Sequence, residues 1–174
     1  VDPWNTSSDP AITLTYQFSG NSQPQDLTFA SFTGWTPLTN AEQDSVRAAL
    51  DAYAAVSNIH FSEVSGAADP DIDLGLVSLT GESGQGGFQY YFTYDGSGHV
   101  TSKTLDSYAV WRNDIDVSTQ DNRSLLLHEI GHALTLKHSG AYDAGGQIPP
   151  GPYLPASEDN NKYTVMSYNV NPDT

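Results

Sequence analysis

Hydrophobic and polar residues alternate along several short stretches of the chain, a pattern typical of half-buried strands. Ala11 to Phe18 (AITLTYQF) and Ile59 to Val64 (IHFSEV) follow this period of two. Further strands are predicted at Asp71 to Leu79 and at Gly87 to Tyr94, the latter rich in aromatic residues. Ser107 to Asn113 (SYAVWRN) is the last predicted strand, and together these segments indicate a β-sheet.

Two other stretches have the spacing of amphipathic helices. The first, at about 40–57, follows Thr39, which has Glu42 three residues later and so forms a capping box. Its apolar stripe comprises Val46, Ala49, Leu50, Tyr53, Ala54 and Val56. The second helix starts near Gln120, with Ser118 or Thr119 as its N-cap. Its buried stripe comprises Leu126, Leu127, Ile130, Ala133 and Leu134.

Two glycine-rich segments interrupt this pattern. The segment 81–87 (GESGQGG) lacks the lysine and the following helix that a phosphate-binding loop requires, so a flexible loop is predicted there. The segment 139–162 contains four Pro and four Gly in 24 residues, which predicts a long irregular connection. Such a long irregular segment in a compact domain is often functional.

Composition narrows the functional classes. The length of 174 residues suits one domain, covering residues 1–174. Six basic and 21 acidic residues give a formal net charge of −15, which argues against nucleic-acid binding and against attachment to anionic membranes. The absence of cysteine excludes disulfides and thiolate zinc sites. No apolar run approaches about 18 residues, so no membrane span and no signal peptide is predicted.

The richest chemical signal is residues 125–138, which read LLLHEIGHALTLKH. His128 and His132 are four residues apart, so on a helix they face the same way and can bind one ion. Glu129 points about 100° round the helix and can reach a water molecule on that ion. His138 is six residues beyond His132, a rise of about 9 Å on a straight helix, so a sharp turn must separate them.

These residues resemble the HExxHxxGxxH zinc signature of the metzincin metallopeptidases. A second motif, Val165 to Tyr168 (VMSY), resembles the Met-turn of that clan, and its Met-x-Tyr pairing is similar to that of the serralysin and astacin branches. The resemblance covers about Ala11 to Tyr168. It implies an α+β fold with a twisted mixed sheet, two long helices, an active-site helix carrying HExxH and an irregular C-terminal subdomain with the Met-turn.

The resemblance also implies the roles of individual residues. One catalytic Zn²⁺ would be bound by His128, His132, His138 and Tyr168, with Met166 beneath the metal. Glu129 would act as general base, and Tyr168 would stabilise the oxyanion after leaving the metal. The position of the family's turn glycine is occupied by Thr135, for which a positive φ would cost on the order of 1–3 kcal/mol.

The aromatic strand is a candidate for substrate binding. An edge strand can pair its backbone with an extended polypeptide, which makes Phe88, Gln89, Tyr90 and Tyr91 candidate substrate contacts. Aromatic packing within the sheet explains the same residues equally well. His60 and His99 have no partner at a chelating spacing and are predicted to be structural or solvated.

The resulting expectation is a secreted, extracellular bacterial zinc endopeptidase that acts on polypeptides. No calcium-binding β-roll repeat is present, and the chain stops eight residues after Met166, so a fragment is expected. Its C-terminal remainder would be a separate chain, and Ca²⁺ would bind only through that missing region. Two alternatives are a non-cleaving metal-binding or adhesion module of a larger secreted protein, and a zinc hydrolase of non-peptide substrates.

Overall fold

The structure is a computed structural model that describes residues 12–142 and 148–173. Its strands are β1 (Ile12–Phe18), β2 (Thr33–Thr36), β3 (Ile59–Glu63), β4 (Ile72–Ser78), β5 (Gly84–Tyr94) and β6 (Val100–Arg112). Its helices are α1 (Asn40–Ala54) and α2 (Arg123–Ala133), the latter preceded by a short 3-10 turn, Gln120–Asn122. The described residues after α2 contain no further helix or strand. This α+β arrangement confirms the predicted fold class.

The six strands form one mixed sheet in the order β3-β1-β4-β6-β5, with β2 pairing with β4 outside that path. β1 is parallel to β3 and β4, and β4 is parallel to β6. β5 is antiparallel to β6 and is the last strand in the order, so the prediction of an edge strand is confirmed. α2 packs against β5 and β6, which places the helix beside that edge.

Two apolar clusters cover the two faces of the sheet. The larger one joins both helices to the face carrying Leu74, Leu76 and Trp111, and it includes Leu126 and Ile130 of α2. The smaller one lies on the opposite face. It consists of Leu27, Trp35, Val77, Tyr108 and Val110. The period of two along β4 explains this division, because successive side chains point to opposite faces.

The predicted flexible loop at 81–87 is wrong in its second half, because β5 already begins at Gly84. The glycines indicate a close approach of two backbones rather than flexibility. A β-carbon on Gly86 would overlap the carbonyl oxygen of Glu129 in α2, and one on Gly87 would lie 2.8 Å from the Tyr108 hydroxyl. Glycine in a strand often marks such an approach.

Other boundaries also differ from the predictions. The capping box of Thr39 and Glu42 is present, but α1 ends at Ala54, so Val56 lies beyond the helix and is 83% exposed. Neither predicted cap is seen on the second helix, since Thr119 makes no capping bond and the 3-10 turn precedes α2. β6 begins at Val100, earlier than predicted, because it forms a long hairpin with β5. Among the described residues, no helix is long and apolar enough to cross a membrane.

Candidate metal centre

Three histidine side chains converge at the end of α2. His128 and His132 lie one turn apart on the helix, and the chain returns so that His138 faces both. The three Nε2 atoms are separated by 3.1 Å, 3.1 Å and 3.2 Å. The sequence predicted this cluster, including the turn that brings back His138.

A Schellman motif produces that turn. The Leu136 N–H donates to the Gly131 carbonyl and the Thr135 N–H donates to the His132 carbonyl, each at 2.9 Å. Thr135, at the position where glycine is usual, has a φ of 71°. The expected positive φ is therefore present, and a β-branched residue occupies the left-handed region at a cost of about 1–3 kcal/mol.

Backbone carbonyls hold the other nitrogen of each imidazole ring. The Nδ1 atoms of His128, His132 and His138 bond to the carbonyls of Val165, Leu136 and Tyr142 at 2.7 Å, 2.8 Å and 3.1 Å. A carbonyl only accepts, so each Nδ1 carries the proton in the neutral ring. Each Nε2 is then left with a lone pair directed at the centre of the cluster.

This donor set fits zinc. Three lone pairs facing one another repel unless a cation lies between them. Tetrahedral Zn²⁺ with bonds of about 2.0–2.1 Å places its nitrogen ligands about 3.3–3.4 Å apart, close to the observed separations. Burial lowers the pKa of His128, the neighbouring His138 lowers it further, and the Val165 carbonyl partly opposes both. The ring is therefore held in the neutral form that binds metals.

Glu129 lies beside this cluster and is almost completely buried. Burial and the nearby Glu82 carboxylate raise its pKa to about 8, while the Gly86 backbone N–H donates to it and lowers the pKa. That N–H belongs to the edge strand, so β5 fixes the carboxylate from the opposite side to α2. A carboxylate in this position, beside the histidines and held by the edge strand, can accept a proton and pass it on.

The Met-turn residues lie beneath and beside the histidines. Met166 is buried, and its Sδ atom would lie 2.7 Å from a β-carbon on Gly131, so it packs directly under the active-site helix. The Tyr168 ring stacks against His128 with centroids 5.6 Å apart and lies 4.5 Å from the His138 ring centroid. Half of Tyr168 is exposed, which leaves its ring at the mouth of the site.

Sequence reasoning missed a polar network that supports the third histidine. The Tyr142 hydroxyl donates to Asp159 Oδ1 at 2.7 Å and accepts from the Tyr168 backbone N–H at 3.2 Å. Ser139 Oγ also donates to Asp159 Oδ1, at 2.6 Å. Because these residues are spread over an irregular segment, no periodicity signals them. The only available hint was the presence of Tyr142, Ser139 and Asp159 within 139–162, where the sequence predicts an irregular connection.

A pocket opens beside the histidines. One wall is the start of the edge strand with Gly81–Gly84, another is α2 with Glu129, and a third is the Met-turn with Ser167 and Tyr168. The candidate substrate residues Phe88, Gln89, Tyr90 and Tyr91 lie further along β5, beyond the part that lines this pocket. The Phe88, Tyr90 and Phe92 rings contact one another in a row.

Comparison with known proteins places the chain in a family of peptidases. The matrixin (peptidase M10) family model matches residues 13–145. The chain is 32% identical over 162 residues to a serralysin of Photorhabdus laumondii, covering 91% of this chain and 32% of that protein. It is 31% identical over 171 residues to serralysin C of Dickeya chrysanthemi, covering 95% of this chain and 34% of that protein. Among solved structures, myroilysin matches at a TM-score of 0.43 and 20% identity, covering 77% of this chain and 52% of that one.

The chain spans about a third of the length of these curated relatives. The family match, in contrast, extends over most of the chain and includes the HEIGHALTLKH segment. The chain therefore belongs to the matrixin family of peptidases.

Proposed function

We propose that the protein is a zinc-dependent endopeptidase that hydrolyses extended polypeptides. The carrying observation is the set of three imidazole Nε2 atoms within 3.2 Å of one another, each fixed through its Nδ1 by a backbone carbonyl. This geometry is preorganised for one ion. A buried carboxylate adjoins it, as peptide hydrolysis requires.

His128, His132 and His138 would hold the zinc. When bound, zinc supplies Lewis acidity towards the scissile carbonyl and lowers the pKa of a water molecule at its open position. Each histidine ring is held by the carbonyl bonded to its Nδ1, so the ligands cannot rotate away. Such outer partners typically change metal affinity by about 10–100-fold when they are removed.

Glu129 moves the proton. Its carboxylate, steered by the Gly86 N–H, takes a proton from the attacking water and delivers it to the nitrogen of the leaving amine. The acceptor form must be the carboxylate, and the positive charge of a zinc ion held by the three histidines would favour that form over the protonated acid. Burial excludes bulk water, so the proton is retained between the two steps.

Tyr168 is placed to act on the developing oxyanion. Its ring packs against His128 and His138, and it is half exposed at the pocket mouth. A hydroxyl that donates to a developing negative charge contributes more in the transition state than in the ground state. We assign this stabilising role, together with a reversible contact to the metal, to Tyr168.

The substrate would lie along the outer edge of β5. The loop that leads into that strand, together with its first residue Gly84, forms a wall of the pocket beside Glu129. An extended peptide that adds to this edge would bind through main-chain hydrogen bonds and present its scissile bond to the histidines. Phe88, Gln89, Tyr90 and Tyr91 continue the same strand and would contact more distant substrate residues.

The test is cleavage of casein by the zinc-loaded protein, by the protein after chelation with phenanthroline, and after zinc is added back. Activity should disappear on chelation and return with zinc. Glu129→Gln should bind zinc as the wild type does but lose turnover by several orders of magnitude. Glu158→Gln is the matched control, because Glu158 is exposed and lies outside the pocket.

A folded, zinc-loaded wild-type protein that leaves casein and short peptides intact would contradict this proposal and favour the non-cleaving module. Turnover of esters or glycans without proteolysis would favour a non-peptide hydrolase. Full activity in Glu129→Gln would contradict the assigned proton transfer while leaving the zinc site standing.

We also propose that the protein works outside bacterial cells, as its resemblance to serralysins implies. The support is the match to serralysins of bacteria. Immunodetection in the culture medium, with a cytosolic marker confined to the cell pellet, would be the expected result. Detection in the pellet alone would contradict an extracellular location.

A further inference from the structure

Four aromatic residues of β5, the aromatic row, lie side by side on one face of the sheet. The rings of Phe88, Tyr90, Phe92 and Tyr94 follow one another with centroids 5.2 Å, 6.1 Å and 6.5 Å apart. Phe88 is 40% exposed, Phe92 45% and Tyr94 61%. Single exposed apolar residues are ordinary, but a contiguous set of them marks a surface that binds a partner.

The aromatic row shares its face of the sheet with the metal centre. A β-carbon on Gly86 would lie 2.7 Å from Cβ of His132, so this position of β5 faces α2. Successive side chains of a strand alternate between the two faces, which puts Phe88 and the rings that follow it on the face of Gly86. Along this face, glycine beside the metal centre is followed directly by aromatic rings.

β5 also presents an edge along the same stretch. Among the described strands it is the last of the sheet, and it pairs with β6 alone. Such an edge is a template for a further extended chain. Residues opposite each other in two neighbouring strands point to the same face, with β-carbons about 4.5–5.5 Å apart. A polypeptide added to this edge would therefore place every second side chain beside the aromatic row.

The opposite face of β5 has a different character. Tyr91 points there, because it lines an open pocket with Asp69 and Asp106 on the side of the smaller apolar cluster. Its neighbours on that face of the strand are Gln89 and Thr93, both polar. Side chains of an added polypeptide that face this way would meet polar and acidic groups, whereas the alternate ones would meet aromatic rings.

We propose that the aromatic row selects as substrates extended polypeptides in which apolar and polar side chains alternate, as in amphipathic β-strands. This inference rests on the proposed endopeptidase function. Apolar substrate side chains would pack against Phe88, Tyr90 and Phe92, while the polar ones would face Gln89 and the acidic pocket. Main-chain hydrogen bonds along an edge read no sequence, so these cross-strand contacts supply the selectivity.

The position of the row sets the length of substrate that benefits. Phe92 lies six residues beyond Gly86, a distance of about 20 Å at roughly 3.3–3.4 Å per residue. A substrate must therefore extend about six residues from the scissile bond on this side to contact all three rings. The favoured substrates are unfolded segments of proteins rather than short peptides.

The test compares two peptides of about 18 residues that have the same composition and the same four central residues around one scissile bond. In one peptide Leu occupies the odd positions of both flanks and Ser the even positions, and in the other they are exchanged. Only one of the two can present its Leu side chains to the aromatic row. We expect the zinc-loaded wild type to cleave one peptide with a kcat/KM about tenfold higher than the other.

Phe88→Thr combined with Phe92→Thr should reduce this preference to about twofold, since two rings are lost while threonine retains the propensity for a strand. Tyr91→Thr is the matched comparison. It removes a ring of similar exposure, 41%, from the opposite face of the same strand, so the preference between the two peptides should not fall. A preference that survives in the double variant, or that falls equally in Tyr91→Thr, would overturn selection by the row.

Casein cleavage, measured alongside, separates this inference from the proposed function. Casein cleavage with equal rates on the two peptides would overturn selection by the row and leave the endopeptidase standing, whereas no cleavage of casein or of either peptide would contradict both. Size-exclusion chromatography tests the other occupant of this edge, a second copy of the chain. A wild-type dimer that becomes a monomer in the double variant would overturn the proposal in favour of self-association.

Discussion

A β-carbon on Gly84 would lie 2.6 Å from Cγ of Glu129, so the edge strand and the general-base candidate are in direct contact. Gly86 is restricted in the same way, because a β-carbon there would lie 2.7 Å from Cβ of His132. Glycine weakens a strand, but at these positions it allows the strand to approach α2 closely. The position of the Glu129 carboxylate therefore depends on the absence of a side chain at residue 84.

Gly84→Ala should lower kcat by about 100-fold while zinc content stays unchanged, because a displacement of roughly 1 Å at a catalytic group has an effect of that size. The measurement is steady-state cleavage of a peptide, together with metal analysis. Gly20→Ala is the control, since no atom lies within 4 Å of a β-carbon there and its activity should match the wild type. An unchanged kcat in Gly84→Ala would show that Glu129 tolerates the displacement.

Thr135→Gly should stabilise the protein by about 1 kcal/mol. The residue has a φ of 71°, and removing its β-branched side chain relieves more strain than the extra flexibility of glycine costs. Urea unfolding of the zinc-loaded protein measures the difference. Thr119→Gly is the comparison, because its φ of −74° is ordinary and its hydroxyl bonds to the Asp116 carbonyl and to the Asn122 side chain, so glycine there should destabilise by about 1 kcal/mol or more. Destabilisation in both variants would show that the positive φ of Thr135 is not a source of strain.

Tyr142→Phe should weaken zinc binding by about tenfold, because it removes the hydroxyl that joins Asp159 to the backbone of Tyr168. The ring, which packs 5.4 Å from His138 and 4.9 Å from Tyr168 by centroid distance, is retained. Competition with a chromophoric chelator gives the affinity. Tyr163→Phe, at an exposed position, should bind zinc as the wild type does. Equal zinc affinities for the wild type, Tyr142→Phe and Tyr163→Phe would show that the hydrogen bonds of the Tyr142 hydroxyl do not support zinc binding.

Tyr168→Phe tests the oxyanion role. The variant should retain zinc, because the three histidines still hold it, and should lose about 10–100-fold in kcat at unchanged KM, because the hydrogen bond to the oxyanion of the transition state is removed. Steady-state kinetics on one peptide separates kcat from KM. A rise in KM with unchanged kcat would assign Tyr168 to substrate binding instead.

The local chemistry of the site could be predicted from the sequence, because it follows from helical spacing. His128, Glu129 and His132 lie within about one turn of the same helix. Bringing His138 to the two other histidines required only a sharp turn of the chain. The positive φ at Thr135 was likewise implied by the motif position and is present. The capping box at Thr39 was predicted for the same reason, since it depends on residues three apart.

Features that depend on long-range approach could not be predicted. Gly84 and Gly86 resembled a flexible loop, because glycine signals flexibility and close packing alike and only the position of α2 distinguishes the two. Asp73 lies in a strand between apolar residues, and its sequence neighbours do not predict that the carboxylates of Asp26 and Asp106 lie close to it. Contacts between residues far apart in sequence arise from the sheet order, which periodicity does not specify.

Asp73 and Asp106, whose carboxylates meet that of Asp26 on the sheet face opposite to the helices, predict how stability depends on pH. The pKa values of Asp73 and Asp106 are about 7 in the folded protein, against roughly 3.9 for aspartate in an unfolded chain. Between these values the folded state binds more protons, so the free energy of unfolding should fall as pH rises from about 4 to 7.

Urea unfolding across that range measures the slope. Asp73→Asn should have a shallower slope than the wild type, because one carboxyl group with a raised pKa is gone. The difference between the two curves removes the contribution of all other groups. Parallel curves for wild type and Asp73→Asn would show that these carboxylates do not titrate as a buried cluster.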